Sequence, residues 1–201
     1  MLPPDTAPRV RDVTPAVPPD YPSEWEFDAV LADGGAAHVR PIRPDDAAAH
    51  RAFFGHQSRE SVHARFFSTK AAISAAEVTH FTTVDYHDRM AFVAFLGEEM
   101  IAVGRYERLE SGNEAEVAFA VADNQQRRGL ATLVLKYLAS YAHGHGITRL
   151  SADTLTENRP MLDVFRAAGF RREGKSMEYG VVHLACDIDT TGETRPSVQL
   201  E

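Results

Sequence analysis

The sequence predicts a mixed α/β fold in which helices flank one central, mostly antiparallel twisted sheet. Three segments follow a two-residue period and are joined by short turns, as in an antiparallel meander: Met90 to Leu96, Met100 to Glu107 and Glu114 to Ala122. After them the chain changes to helical periodicity, with one apolar stripe that extends to about Tyr141. A sheet with an apolar face needs helices to cover it, so these segments predict a single layered domain.

Before the meander, the pattern predicts one hairpin and three short helices. Gly34 and Gly35 lie at the hairpin turn, and both are able to take positive φ. A capping box between Ser74 and Glu77 starts the third helix, and a proline followed by two aspartates starts the first. The predicted strands are Glu26 to Leu31 and Ala37 to Arg43, and the predicted helices are Asp46 to Phe54, Ser58 to Phe67 and Ser74 to Thr82.

After the meander, helix and strand alternate. The amphipathic helix is expected to end at Gly144-His145-Gly146, because glycine favours a helix stop. A strand at Arg149 to Leu155, a helix at Arg159 to Ala168 and a final strand at Met177 to Asp187 complete the prediction.

Proline content divides the chain into three parts. Seven of the eleven prolines lie within the first 22 residues, so residues 1–24 are predicted to form a disordered or extended arm. Residues 25–189 are predicted to form the folded domain, and residues 190–201 a flexible tail. With 201 residues, of which 44% are hydrophobic, the chain is long enough for one well-filled core.

Composition argues against several classes of protein. A net charge of −8 disfavours broad nucleic-acid binding, and no apolar run is long enough to span a membrane. A single cysteine rules out an intramolecular disulfide, and no carboxylate or cysteine cluster accompanies His143 and His145, so no metal site is predicted. Residues 1–20 do not have the pattern of a secretory signal, which makes the cytoplasm the expected location.

The segment Gln126-Arg127-Arg128-Gly129-Leu130-Ala131-Thr132 is predicted to bind a pyrophosphate. Gly129 and Ala131 are small enough to let backbone N–H groups approach an anion, and the start of a helix supplies unpaired donors and a favourable dipole. Arg127 and Arg128 add positive charge. The sequence has no G-x-x-x-x-G-K-S/T loop and no G-x-G-x-x-G after a strand, so neither a P-loop nor a Rossmann site is supported.

The pattern Q-x-x-G-x-A in this segment resembles the acetyl-CoA signature Q/R-x-x-G-x-G/A of the GNAT superfamily of N-acetyltransferases. The sequence is most similar to the catalytic domain of bacterial Pat-type protein lysine acetyltransferases. Besides the signature, the similar segments are Val39 to Asp46, Ser58 to Ser61, Arg65 to Phe67, Val84 to Tyr86, Ala115 to Phe119, Val121 to Asp123, Glu157 to Leu162 and Gly169 to Phe170. The resemblance implies a GNAT fold, acetyl-CoA as co-substrate and an amine as acceptor.

Transfer of an acetyl group to a lysine needs a base, because the ammonium is mostly charged at neutral pH. Glu116 is the candidate, since it lies 13 residues before Gly129, on the strand where this family carries its glutamate base. It shares a strand face with the small residues Ala118 and Ala120, which leave room for a substrate channel. Two alternatives remain open: Glu116 is an exposed residue paired with Arg105 or a lysine, or Glu114 is the base.

The resemblance also implies how the rest of acetyl-CoA is bound. The main chain of Phe119, Ala120 and Val121 is expected to pair with the pantetheine arm as an extra strand would, and a backbone N–H there would polarise the thioester oxygen. Asn158 starts the last helix, so it either caps that helix or contacts the pantetheine.

Many relatives carry a tyrosine as general acid seven residues after this asparagine, but the present sequence has Phe165 there. Either Tyr86, Tyr137 or a water reprotonates the CoA thiolate, or no acid is needed because a thiolate is a stable leaving group.

The favoured acceptor is a lysine ε-amine of a protein, with an acyl-CoA-forming enzyme as the partner that the resemblance suggests. One alternative is a small amine or an antibiotic, and the two differ in whether the segment from Ser58 to Tyr86 covers the cleft beside Glu116. Another alternative is a non-catalytic module that binds acetyl-CoA, which Phe165 mildly favours and Glu116 opposes.

Overall fold

The computed structural model describes residues 17–66, 73–174 and 180–188. Its strands are β1 (Phe27–Val30), β2 (Ala36–Pro41), β3 (Arg89–Leu96), β4 (Glu99–Arg108), β5 (Glu114–Val121), β6 (Arg149–Leu155), β7 (Arg171–Arg172) and β8 (Val181–Asp187). Its helices are α1 (Ala47–Gly55), α2 (Arg59–Phe66), α3 (Ala75–Thr82), α4 (Leu130–Gly144) and α5 (Arg159–Ala167), and short 3-10 turns occur at Ser23–Trp25, Pro44–Asp46 and Asp123–Gln125.

The strands form one sheet in the order β1-β2-β3-β4-β5-β6-β8-β7. Neighbouring strands run antiparallel, except that β5 and β6 are parallel. This confirms the predicted mixed α/β fold with a mostly antiparallel sheet. The capping box between Ser74 and Glu77 is present as well, with the Ser74 hydroxyl accepting from the Glu77 N–H.

The fold differs from the prediction at strand β7 and at Tyr21. Strand β7 was not predicted, because two exposed arginines carry no alternating pattern. Tyr21, which the prediction assigned to the arm, is buried, and its hydroxyl donates to Glu26 at 2.6 Å, so the packed part of the chain begins before residue 25. Residues 1–16, Phe67, residues 177–179 and the predicted tail lie outside the described residues.

Apolar side chains cover both faces of the sheet. Helix α4 packs on one face through Val134 and Leu138, while Phe53 of α1 packs on the other face against Val93. Gly104 of β4 lets α4 approach closely, because a Cβ at this position would lie 2.4 Å from a methyl carbon of Val134. The close contact fixes the position of α4 and therefore of its N-terminus. No helix in the described ranges has the length and apolar character needed to cross a membrane.

Candidate active site

A wedge opens between the two parallel strands. β5 and β6 pair only from Glu114 with Arg149 to Glu116 with Ser151. Beyond Glu116, β5 remains paired with β4 on one edge, while its other edge has no strand partner among the described residues. A cleft of about 1070 Å³ lies in this wedge, and α2, the loop before α4 and the start of α5 form its other walls. Such a volume suits a large organic ligand.

The loop before α4 has the conformation of an anion-binding site. Arg127 and Gly129 both have left-handed backbones, with φ of 63° and 85°. Residues in this conformation turn successive N–H groups toward one concave surface. In the described part of the chain, the N–H groups of residues 127–132 donate no backbone hydrogen bond, and the first N–H of the α4 ladder is that of Leu133, which donates to the Gly129 carbonyl at 2.9 Å.

Most of the predicted cofactor residues line the cleft. They are Phe119, Ala120, Val121, Gln126, Arg127, Gly129, Leu130, Ala131, Thr132 and Asn158.

The backbone of the loop before α4 is strained at Arg127, because a non-glycine residue in a left-handed backbone costs about 1–3 kcal/mol. Strain of this kind persists where the surrounding structure requires it, which agrees with a binding role for the loop.

Arg128 is the predicted cofactor residue whose side chain does not line the cleft. Its guanidinium binds the carboxylate of Asp33 in the β1–β2 turn, at 2.8 and 2.9 Å. Gly35 makes room for it, since a Cβ at Gly35 would lie 2.6 Å from the Arg128 guanidinium. Of the two turn glycines, Gly34 has a positive φ of 83° and Gly35 does not. The Arg128 side chain therefore links the loop before α4 to the β1–β2 hairpin and does not point into the cleft.

Asp123 connects α2 to the loop before α4. Its carboxylate accepts from the Ser58 N–H at 2.7 Å, from the Ser58 and Ser61 hydroxyls, and from the side-chain amide of Gln126 at 3.3 Å. We name these four residues the Asp123 clasp. The sequence did not predict it, because three of its hydrogen bonds join residues more than 60 positions apart.

Glu116 lies in the cleft at the point where the wedge opens. Its side chain is exposed, and it follows the alternation of β5, in which Val117 and Phe119 point into the core. Arg105, the predicted alternative partner, is buried and donates instead to His50 Nε2 at 3.2 Å and to a backbone carbonyl. Glu114 is ion-paired with Arg149 at 3.9 Å and does not line the cleft. The geometry therefore favours Glu116 over Glu114 as the base.

Two residues that the sequence analysis missed surround Glu116. Asp153 of β6 lies on the same face of the sheet and accepts a hydrogen bond from His183 of β8. Arg65 of α2 lines the cleft from the opposite wall. Asp153 could have been found from the sequence, because aspartate is rare inside β-strands. The same argument was used for Glu116.

The surroundings of Glu116 change its acidity. The Glu116 side chain is exposed, but the surrounding cleft walls remove part of its hydration, and this desolvation raises its pKa above the usual range. The negative charge of Asp153 raises the pKa further. The positive charge of Arg65 acts in the opposite direction. A higher pKa makes the carboxylate a stronger base at neutral pH.

These two neighbours predict opposite changes in the pH profile. A glutamate base must be ionised to accept a proton, so the acidic limb of kcat/KM should lie above the ordinary glutamate pKa of about 4.3. Asp153→Asn should move this limb to lower pH, because it removes a repelling negative charge. Arg65→Gln should move it to higher pH. The measurement is kcat/KM against pH for both variants, and shifts in the same direction would contradict the assignment of Glu116 as the titrating group.

Asn158 and Phe165 lie on α5 at the cleft. The Asn158 side chain accepts from the Met161 N–H at 3.2 Å, so it caps the helix, and it also lines the cleft, so both of its predicted roles remain compatible. Phe165 is buried with its ring 6.0 Å from that of Phe119.

Neither tyrosine proposed as an acid reaches the cleft. The Tyr86 hydroxyl donates to the Ile42 carbonyl at 2.9 Å, and burial raises the pKa of Tyr86 to about 12. Tyr137 stacks on Phe27 with ring centroids 3.8 Å apart. No tyrosine is among the described residues that line the cleft, which leaves water or direct departure of the thiolate.

Comparison with known proteins identifies the family. The sequence profile described as "Acetyltransferase (GNAT) family" matches residues 57–170, which include the wedge and the loop before α4. The GNAT domain of S. lividans PAT is 43% identical, with a TM-score of 0.79 over 84% of this chain and 99% of that one.

Two further proteins extend the comparison. The acetyltransferase Pat of Mycolicibacterium smegmatis is 31% identical over 158 residues, which span 75% of this chain but only 45% of that protein. The protein yncA of Salmonella typhimurium, solved with its cofactor acetyl-CoA, has the same fold at 14% identity, with a TM-score of 0.64 over 80% of this chain and 99% of that one. The fold, the matched profile and the similarity to Pat lead to one conclusion: the chain belongs to the GNAT family, and it is an acyltransferase that uses acetyl-CoA as co-substrate.

Proposed function

We propose that the protein transfers the acetyl group of acetyl-CoA to the ε-amine of lysines on other proteins, in the cytoplasm. The observation that carries the proposal is the exposure of Glu116 in a cleft that the described residues leave open. Residues 67–72, which belong to the segment from Ser58 to Tyr86, lie outside the described residues. Helix α2 forms one wall of this cleft, yet it leaves the Glu116 carboxylate accessible to solvent. A lysine that projects from a folded protein needs an accessible base of this kind, whereas a small amine is better held by an enclosed pocket.

The proposed reaction proceeds by direct transfer in a ternary complex. Glu116 accepts a proton from the lysine ammonium, directly or through a water. The resulting amine forms a C–N bond to the thioester carbonyl, whose oxygen is stabilised by a backbone N–H on the unpaired edge of β5. The C–S bond then breaks, the amide nitrogen loses its second proton to solvent, and CoA departs as a thiolate that water reprotonates.

The acetyl-CoA end of the cleft is proposed to lie at the loop before α4. Free N–H groups, two left-handed residues and the N-terminus of α4 together suit the pyrophosphate. The pantetheine arm would then run along the unpaired edge formed by Phe119, Ala120 and Val121.

The charge around Glu116 supports a cationic acceptor. Asp153 and Glu107 place negative charge around Glu116, and Arg65 and His183 supply the opposing charge. Exposed charges of this kind are screened over about 8 to 10 Å at physiological salt. The KM for a protein acceptor should therefore rise with salt concentration, most strongly for lysines with basic neighbours.

The test compares acceptors at matched amine concentration. Folded proteins, including an acyl-CoA synthetase as the partner suggested by similarity to Pat, are assayed beside polyamines, an aminoglycoside and free lysine. CoA release gives the rate and mass spectrometry gives the modified site. We expect a protein lysine to react fastest. Faster turnover of any free amine would overturn the protein acceptor and support the small-amine alternative.

A further inference from the structure

Thr154 of β6 has a buried hydroxyl without a partner. Its side chain is 1% exposed and lines the cleft, and its Oγ1 makes no hydrogen bond within the described residues. Thr82 shows the ordinary arrangement, since it is equally buried but donates to the Val78 carbonyl at 2.9 Å. Buried hydroxyls are normally paired, because an unpaired one loses its hydrogen bonds to water without replacement. The exception at Thr154 therefore requires an explanation.

The hydroxyl lies on the side of the sheet where α4 and α5 pack. Asp153 points to the opposite, solvent-accessible face with Glu116, so Thr154, the next residue along β6, points toward the core face. Phe119 and Phe165, which also line the cleft, are buried in the core on this face. The Thr154 hydroxyl thus lies on the same face of the sheet as these two phenyl rings.

The distance of Thr154 from the level of Glu116 along β6 indicates which part of a bound acetyl-CoA it would contact. Ser151 pairs with Glu116 at the start of the wedge, and Thr154 lies three residues further along β6. At about 3.3 Å per residue, Thr154 is about 10 Å beyond the level of the base. The reacting sulfur must lie close to the base, so Thr154 is too far along the wedge to protonate the thiolate. It lies where the arm between sulfur and nucleotide would pass, and that arm carries two amide groups.

We propose that the Thr154 hydroxyl donates a hydrogen bond to an amide carbonyl of the pantetheine arm of bound acetyl-CoA. The bond supplies the partner that the hydroxyl lacks in the free protein. Thr154 is therefore a binding residue for the co-substrate, and it does not take part in proton transfer. This inference rests on the assignment of the cleft as the acetyl-CoA site.

The test compares Thr154→Val with Thr154→Ser. Valine has nearly the same shape but no hydroxyl, whereas serine keeps the donor. In calorimetric titration, Thr154→Val should weaken the binding of CoA about tenfold, the usual effect of one lost hydrogen bond, and Thr154→Ser should bind as the parent does. The melting temperature of unliganded Thr154→Val should be unchanged or higher, because the hydroxyl makes no bond in the free protein. Adenosine 3′,5′-diphosphate, which lacks the arm, should bind equally to all three proteins.

Thr82→Val is the matched control. It removes a bonded hydroxyl of equal burial away from the cleft, so it should lower the melting temperature and leave CoA affinity unchanged. The proposal is overturned if Thr154→Val binds CoA like the parent, if its melting temperature falls together with its affinity, or if Thr154→Ser binds as weakly as valine. Failure of the cleft assignment itself is recognised separately, because a Gly129 variant would then still bind acetyl-CoA.

Discussion

Gly129→Glu should abolish measurable acetyl-CoA binding, with a loss in affinity of about 10²-fold or more. Gly129 has a φ of 85°, a conformation that L side chains rarely adopt, and its N–H belongs to the group of unpaired donors before Leu133. Glutamate would disturb this backbone and place a negative charge where a pyrophosphate has to lie. A Cβ at Gly129 meets no atom within 4 Å, so the substitution should not disrupt packing of the fold. Calorimetric titration and a thermal melt measure the two effects separately.

Gly112→Glu is the matched control for this variant. Gly112 has nearly the same backbone, with a φ of 82°, and equally open surroundings, but it lies in the β4–β5 turn outside the cleft. The control should lose about the same stability, on the order of 1–2 kcal/mol for a left-handed backbone, and keep its acetyl-CoA affinity. Normal affinity in a folded Gly129→Glu protein would remove the basis for placing the phosphates at this loop.

Glu116→Gln should lower kcat by about 10²-fold or more at neutral pH while acetyl-CoA affinity stays unchanged. Glutamine keeps the size of the side chain but cannot accept the ammonium proton. The deficit should shrink as pH rises toward the lysine pKa of about 10.4, because the acceptor then loses its proton without help. Initial rates across pH, together with calorimetric titration of acetyl-CoA, provide the measurement.

Glu114→Gln is the corresponding control on the same strand face. Glu114 lies two residues before Glu116 and is ion-paired with Arg149. Its replacement should therefore change kcat only slightly. Equal rates for Glu116→Gln and the parent at every pH would show that Glu116 is structural. A large loss of kcat in Glu114→Gln, with no loss in Glu116→Gln, would identify Glu114 as the base.

Local features of the fold were predictable from the sequence. The two-residue period gave β3, β4 and β5 to within about a residue, and Ser74 with Glu77 gave the start of α3, because each of these signals acts over a few positions. The cleft-facing position of Glu116 also followed from the alternation of its strand.

Features that depend on distant parts of the chain were not predictable. Arg128 was read as a phosphate ligand, but its partner Asp33 lies 95 residues away, across a turn that only the folded sheet brings near. The pairing of Asp153 with His183 depends on strand register, and the orphan hydroxyl of Thr154 depends on a wedge that no single strand pattern reveals. Periodicity reports which face a side chain occupies, but not which neighbour it meets.

The Asp123 clasp links the two halves of the cleft thermodynamically. Ser58 and Ser61 at the start of α2 bind Asp123, and Phe66 at the end of the helix packs against the ring of Phe54. Asp123 also binds Gln126 of the loop before α4. A ligand that orders the loop therefore also favours the docked position of α2, and by reciprocity an acceptor that contacts α2 strengthens the hold on the loop. The two substrates should thus bind with positive cooperativity, with acetyl-CoA adding first because it completes the wall against which the acceptor docks.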